Sequence, residues 1–117
     1  MNTTQLAQRG YAPTAAPLKS ARKVEYDVIA RITSRLTAAM REKNFNKLVD
    51  ALHENRTLWR KLGIDVASPG NLLPDELKAR LIYLAEFTDH HTRKVIRREE
   101  SAMPLVEVNT AILRGLK

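Results

Sequence analysis

Glu86, Asp89, His90 and His91 crowd one stretch of the chain, and His53 with Glu54 another; these are the side chains used for acid–base work or for holding a metal ion. Glu86 and His90 are four residues apart, so on a helix they share a face, but a metal site needs at least one more convergent ligand and the spacing offers none. The expectation is a charged, solvated helix face with no catalytic residue, no metal site and no cofactor. His91 falls on the apolar side near Leu84 and Phe87, where a hydrogen-bonded core histidine is expected. The chain has no glycine-rich phosphate loop and no serine in a nucleophile elbow.

A second group is basic. Arg93, Lys94, Arg97 and Arg98 form the best local candidate for an RNA contact, although basic residues occur on every expected helix and aromatics do not alternate with them. The plainer reading of this run is a solvated helix end. A third group is polar within apolar surroundings. Asn55 interrupts the stripe Phe45, Leu48, Leu52, Trp59 and Leu62, and Asn109 interrupts Leu105, Ile112 and Leu116. A buried amide must find hydrogen-bond partners or cost about 1–3 kcal/mol, so each asparagine either fixes helix register or meets a partner protein. Trp59, the only tryptophan, is open to the same two readings, core residue or binding hot spot.

Four helices position these residues. The first is predicted from an N-cap at Ser20 to about Lys43, because Val24, Val28, Ile32, Leu36 and Met40 follow at steps of four, with Ile29 and Ala39 beside them. Arg22 and Glu25 are spaced to pair on it. After caps at Asn44 to Asn46, the second runs from about Asn46 to Leu62 and is stopped by Gly63, with Arg60 and Lys61 suiting its last turn. A turn-rich link follows, and Pro74 opens the third helix, which runs to about Arg98. Leu77, Leu81, Leu84 and Ala85 form its stripe, widened by Ile82, Tyr83 and Phe87. Asp89 and Arg93 have the four-residue spacing of a supporting ion pair. The last helix has Ser101 as cap and Pro104 in its first turn, and it ends near Leu116. Short links make neighbouring helices antiparallel, so the fold class is all-α, a single-domain bundle of about four helices over residues 20–117. Residues 1–19, with Gly10, Pro13 and Pro17 and few apolar positions, are expected to be a mobile leader anchored by Tyr11.

At 117 residues, one modest core is the limit. The absence of cysteine excludes disulfides, thiolate ligands and a cysteine nucleophile. The amino terminus lacks an apolar run of signal-peptide length, and no run approaches the roughly 20 apolar residues of a membrane span; a cytoplasmic protein without membrane insertion is expected. A net charge of +7 favours polyanionic partners in general, whether RNA, acidic lipid or an acidic protein.

Several of these residues in combination resemble the FlaF family of flagellar biosynthesis proteins from alphaproteobacteria. The likeness extends from Gly10 to Leu116. It rests on Tyr11; Arg22, Glu25 and Tyr26; Ala51-Leu52 with Asn55-Arg56 and Leu58-Trp59; Asn71 with Leu73-Pro74 and Leu77; His91-Thr92; and Val108-Asn109 with Ile112 and Gly115-Leu116. Ala21 stands where the family usually has proline, and the leader before Gly10 is longer than the family's. The resemblance implies a cytoplasmic, non-enzymatic factor for flagellin production or secretion that binds flagellin and works beside FlbT. On that basis the expected function is a flagellin-binding regulator or export chaperone. Asn55 and Asn109 would satisfy polar groups of the partner, Trp59, Ile112 and Leu113 would anchor it, and Arg56 would meet its acidic residues. Asn55→Leu is then expected to keep or raise thermal stability while weakening flagellin binding. The alternative is a post-transcriptional regulator acting on flagellin mRNA through Arg93, Lys94, Arg97 and Arg98, or together with FlbT.

Overall fold

A computed structural model describes the backbone over residues 15–116 and the side chains over residues 25–115. Four helices follow in order: α1 (Ala15–Arg41), α2 (Phe45–Ala67), α3 (Asp75–Ile96) and α4 (Met103–Leu116). The described residues contain no strand, and the all-α bundle holds. Each helix packs on its two neighbours in the order α1, α2, α3, α4 and back to α1, most sparsely between α3 and α4. At 1.5 Å per residue α1 is about 40 Å long, and it sets the long axis of a 47 × 24 × 18 Å body.

The first boundary differs from expectation. The chain is already helical at Ala15, so Ser20 lies inside α1 rather than capping it. Pro17 falls in the first turn, where no backbone N–H is required, and the presence of proline does not delay the helix. Of the expected leader, residues 1–14, Tyr11 among them, lie outside the described residues, as do the side chains of Arg22 and Val24. Further along α1, Ile29, Ile32, Leu36 and Ala39 are buried, while Val28 and Met40 are half-buried against them. This is the predicted stripe.

α1 and α3 end in the same way. Lys43 N–H bonds to Met40 O and Asn44 N–H to Ala39 O; Arg98 N–H bonds to Val95 O and Glu99 N–H to Lys94 O. Both are the double closure that needs a left-handed residue, and here Lys43 (φ 54°) and Arg98 (φ 62°) take it in place of glycine. The Arg98 guanidinium lies 4.0 Å from the centre of the Phe45 ring, a cation–π contact that offsets part of the backbone cost. Asn44 then caps α2 by accepting from Lys47 N–H at 3.0 Å. Ser101 caps α4 by accepting from Met103 N–H at 2.9 Å, with Pro104 in the first turn as expected.

Gly63 does not stop α2, which continues for another turn to Ala67 and buries Val66. Arg60 and Lys61 are therefore not in its last turn. The glycine serves a close approach: a Cβ there would lie 3.1 Å from the Ala85 Cβ on α3. A small residue on each helix lets the two backbones draw together at that level. Beyond α2, Asn71 staples the link to α3. Its Nδ2 donates to Asp65 O (3.1 Å) and its Oδ1 accepts from Leu73 N–H (2.9 Å). Pro74 is the cap residue and Asp75 the first helical one, with Asp75 and Glu76 at the positive dipole end. Arg97 caps the far end, so α3 stops short of Arg98. On α3, Leu81, Thr88, His91, Thr92 and Val95 are buried, whereas Tyr83 and Leu77, expected on its apolar side, are exposed.

Candidate functional site

Two polar constellations lie back to back on α2. The inner one gathers Thr33 of α1, Asn55 and Trp59 of α2, and Asn109 of α4, side chains 54 and 76 residues apart in the chain in the widest pairs that Asn109 makes. Trp59 Nε1 donates to Asn109 Oδ1 at 2.9 Å. Indole nitrogen only donates, so this bond fixes which way the Asn109 amide points. Asn109 Nδ2 then donates to Asn55 Oδ1 at 2.8 Å and to Thr33 Oγ1 at 3.1 Å, and the Thr33 hydroxyl donates onward to Ile29 O at 2.7 Å. The Asn55 amide is oriented in turn, with its Nδ2 facing away from the network and holding no hydrogen-bond partner in the protein. Asn55 and Asn109 are wholly buried and Trp59 is 2% exposed.

The outer constellation starts one residue further along the same helix. Arg56 and Arg60 are one turn apart on α2, and both reach across to Asp89 on α3. Arg56 Nε donates to Asp89 Oδ1 at 2.7 Å, Arg60 Nε and Nη2 reach the same oxygen at 3.0 and 2.9 Å, and Arg93 Nη2 reaches Oδ2 at 2.7 Å. The Arg56 hydrogen bond, aided by Arg93 and the nearby charges, holds the Asp89 carboxyl well below the usual carboxylate range, against the opposing effect of burial. Above this cluster the α2–α3 seam opens into a cleft of about 430 Å³, lined by Trp59, Gly63, Ile64, Ile82 and Ala85 and bordered by Arg60, Glu86, Asp89, His90 and Arg93.

The structure brings Asn55, Trp59 and Asn109 together, but in the interior and bonded to one another. In this conformation they offer no direct surface to a partner; Asn109 is bonded on both amide atoms, whereas Asn55 is bonded through Oδ1 alone and its buried Nδ2 is left over. Ile112 and Leu113 are half-buried on α4, and Arg56 is committed to Asp89. The four basic residues considered for RNA do not form one strip. Arg93 pairs with Asp89, Arg97 Nε with Glu99 (3.1 Å), Arg98 stacks on Phe45, and Lys94 is half-buried. His91 is the core histidine expected: Nε2 lies 2.8 Å from Ser101 O, and the ring stacks on Phe87 at 5.3 Å. A carbonyl only accepts, so Nε2 carries the proton. His53, Glu86 and His90 are exposed, while Glu54 pairs with Arg31 and Arg35. Among the described residues no three His, Cys, Asp or Glu side chains gather where they could share a metal ion.

Sequence reasoning missed the cross-helix half of the cluster, Arg60 included, and the cleft above it. The signal was available in register: once Gly63 and Ala85 are taken as the point of close approach, an antiparallel pair places Arg56 and Arg60 beside Asp89 and Arg93.

Among known proteins, a family model described as flagellar protein FlaF matches the chain over residues 7–116. No curated protein and no solved structure matches the chain.

Proposed function

The chain belongs to the FlaF family of flagellar proteins, and we propose that it acts by binding rather than catalysis, as a cytoplasmic factor that holds flagellin and supports its production and secretion. One observation carries this reading. Among the described residues, four of the five large apolar side chains that stand most exposed, Ile64, Leu72, Leu77 and Tyr83, fall within a single stretch of the chain, from the last turns of α2 through the stapled link into α3. Exposed apolar surface concentrated at one end of a small bundle suits a partner helix. Flagellin termini are amphipathic helices that must stay unpolymerised before export, and covering their apolar faces is work for such a surface. No described helix is long and apolar enough to cross a membrane.

The test is size-exclusion co-elution of the purified chain with its cognate flagellin at moderate salt, with the flagellin leader RNA in a parallel run. Co-elution with flagellin alone supports the reading. Co-elution with RNA alone overturns it in favour of regulation through mRNA, with FlbT as the further partner to add to either mixture.

A further inference from the structure

The cleft between α2 and α3 has two unlike ends. At one end Gly63, Ile64, Ile82 and Ala85, with the edge of Trp59, present carbon, and Ile64 is 69% exposed. At the other, Arg56, Arg60 and Arg93 surround Asp89. Three guanidinium groups converge on the single carboxylate of Asp89, so this cluster carries an excess of positive charge beside the cleft, with Glu86 and His90 at the cleft's border. Each guanidinium has five N–H donors. Asp89 accepts from Arg56 Nε, Arg60 Nε and Arg93 Nη2, and Arg60 Nη2 lies 2.9 Å from the same carboxylate. Asp89 thus holds the arginines in place while most of their donors remain for another acceptor. Arg60 and Arg93 are more than half exposed, so a second carboxylate can reach them without displacing Asp89.

We infer that this cleft is a docking site for one amphipathic helix of a partner protein, in which an acidic side chain sits about two turns from a pair of apolar anchors. The anchors cover Gly63, Ile64 and Ile82, and the acid meets Arg60 and Arg93. The spacing follows from the site itself: Asp89, on which Arg60 and Arg93 converge, follows Ile82 by seven residues, about 11 Å along α3. Charge complementarity selects the occupant. A helix with lysine at the acidic position would place it among the guanidinium groups, and a purely apolar helix would leave their donors covered and unmatched. For the identity of the partner this inference rests on the flagellin reading above; for its chemistry it does not.

The experiment measures the affinity of the full chain for flagellin at low and high salt. Arg60→Glu with Arg93→Glu is expected to weaken Kd by about tenfold or more at low salt, with a smaller gap at high salt. Ile64→Ser, at an exposed position where folding is undisturbed, is expected to weaken it about fivefold at either salt. Arg41→Glu with Lys47→Glu makes the same change in net charge at the opposite end of α2 from the cleft and is expected to stay within about twofold. Equal loss in that control, or a cleft double variant that binds like the wild type, overturns the site while leaving flagellin binding intact. If the wild-type chain does not bind flagellin, the flagellin reading fails, and the site is judged on two designed helical peptides. One carries a leucine pair with glutamate two turns on, and the other has lysine in place of the glutamate. Amide shifts at Arg60, Gly63, Ile64, Ile82 and Arg93 with the glutamate peptide alone sustain the site; no shifts, or equal shifts with both, overturn it.

Discussion

Asn55 and Arg56 are neighbours in the chain, as are Trp59 and Arg60, yet each pair divides between two networks that share nothing but the α2 backbone. The inner network is neutral and buried, and it joins three helices through bonds whose direction is set by a donor-only indole. The outer one is ionic and wet at its edges, and it joins α2 to α3 through a single carboxylate. Apart from Asn55 Nδ2, which has none in the protein, polar groups in the first have no alternative to their partners, because they are shielded from bulk solvent. In the second, water and salt compete for every contact. Burial, more than bond number, therefore decides which network holds the fold and which stays available for exchange with another molecule.

The contrast can be broken most forcefully at Asn109. Asn109→Ala leaves Trp59 Nε1 and Asn55 Oδ1 without partners, and urea unfolding is expected to show a loss of about 3 kcal/mol. Asn55→Leu removes one acceptor and crowds the same space, so a loss of about 1–2 kcal/mol is expected, the reverse of what the sequence alone suggested for thermal stability. Gly63→Val tests the close approach that sets both networks in register; thermal denaturation should register a destabilisation of about 1–3 kcal/mol, while Gly63→Ala stays near neutral because its gain in helix propensity offsets a tight contact.

The outer network should respond to pH. Asp89 has a folded pKa below its ordinary value of 3.8, so its contribution is fully present above that value and is lost as pH falls through the lower folded one. Wild type should exceed Asp89→Asn in stability by about 1 kcal/mol near neutrality, and the two unfolding curves should converge only below about pH 4. A gap that persists unchanged at lower pH would show that the aspartate acts through packing instead of charge. The smallest effect is assigned to Arg60→Gln, within about 0.5 kcal/mol, since that side chain is largely exposed and Arg56 keeps the carboxylate occupied.

Local periodicity was enough to place four helices and to mark Asn55 and Asn109 as polar residues within apolar stripes. It could not reveal that they bond to each other, because their separation of 54 residues becomes contact only through the packing of α4 across the bundle. Gly63 misled for a related reason. Helix termination and helix–helix approach both call for glycine, and only the partner helix, with Ala85 opposite, distinguishes them. Pro17 falls in the stretch expected as leader, yet a first-turn position of a helix tolerates it. Tyr83, expected to widen the apolar stripe of α3, is turned outward by its place on the helix. Asp89 and Arg93 were visible as a one-turn pair, whereas Arg56 and Arg60 joined them only once the register of α2 against α3 was known.

Because the chain has a single tryptophan, its intrinsic emission comes almost wholly from the point where α2 meets α4 through Asn109. That fluorophore also borders the α2–α3 cleft. The molecule thus carries an optical probe at the wall between its sealed interior and its open face. A red shift would report separation of α4 and entry of solvent, and an intensity change without a shift would report an event confined to the cleft, so the two regions can be followed apart without a label.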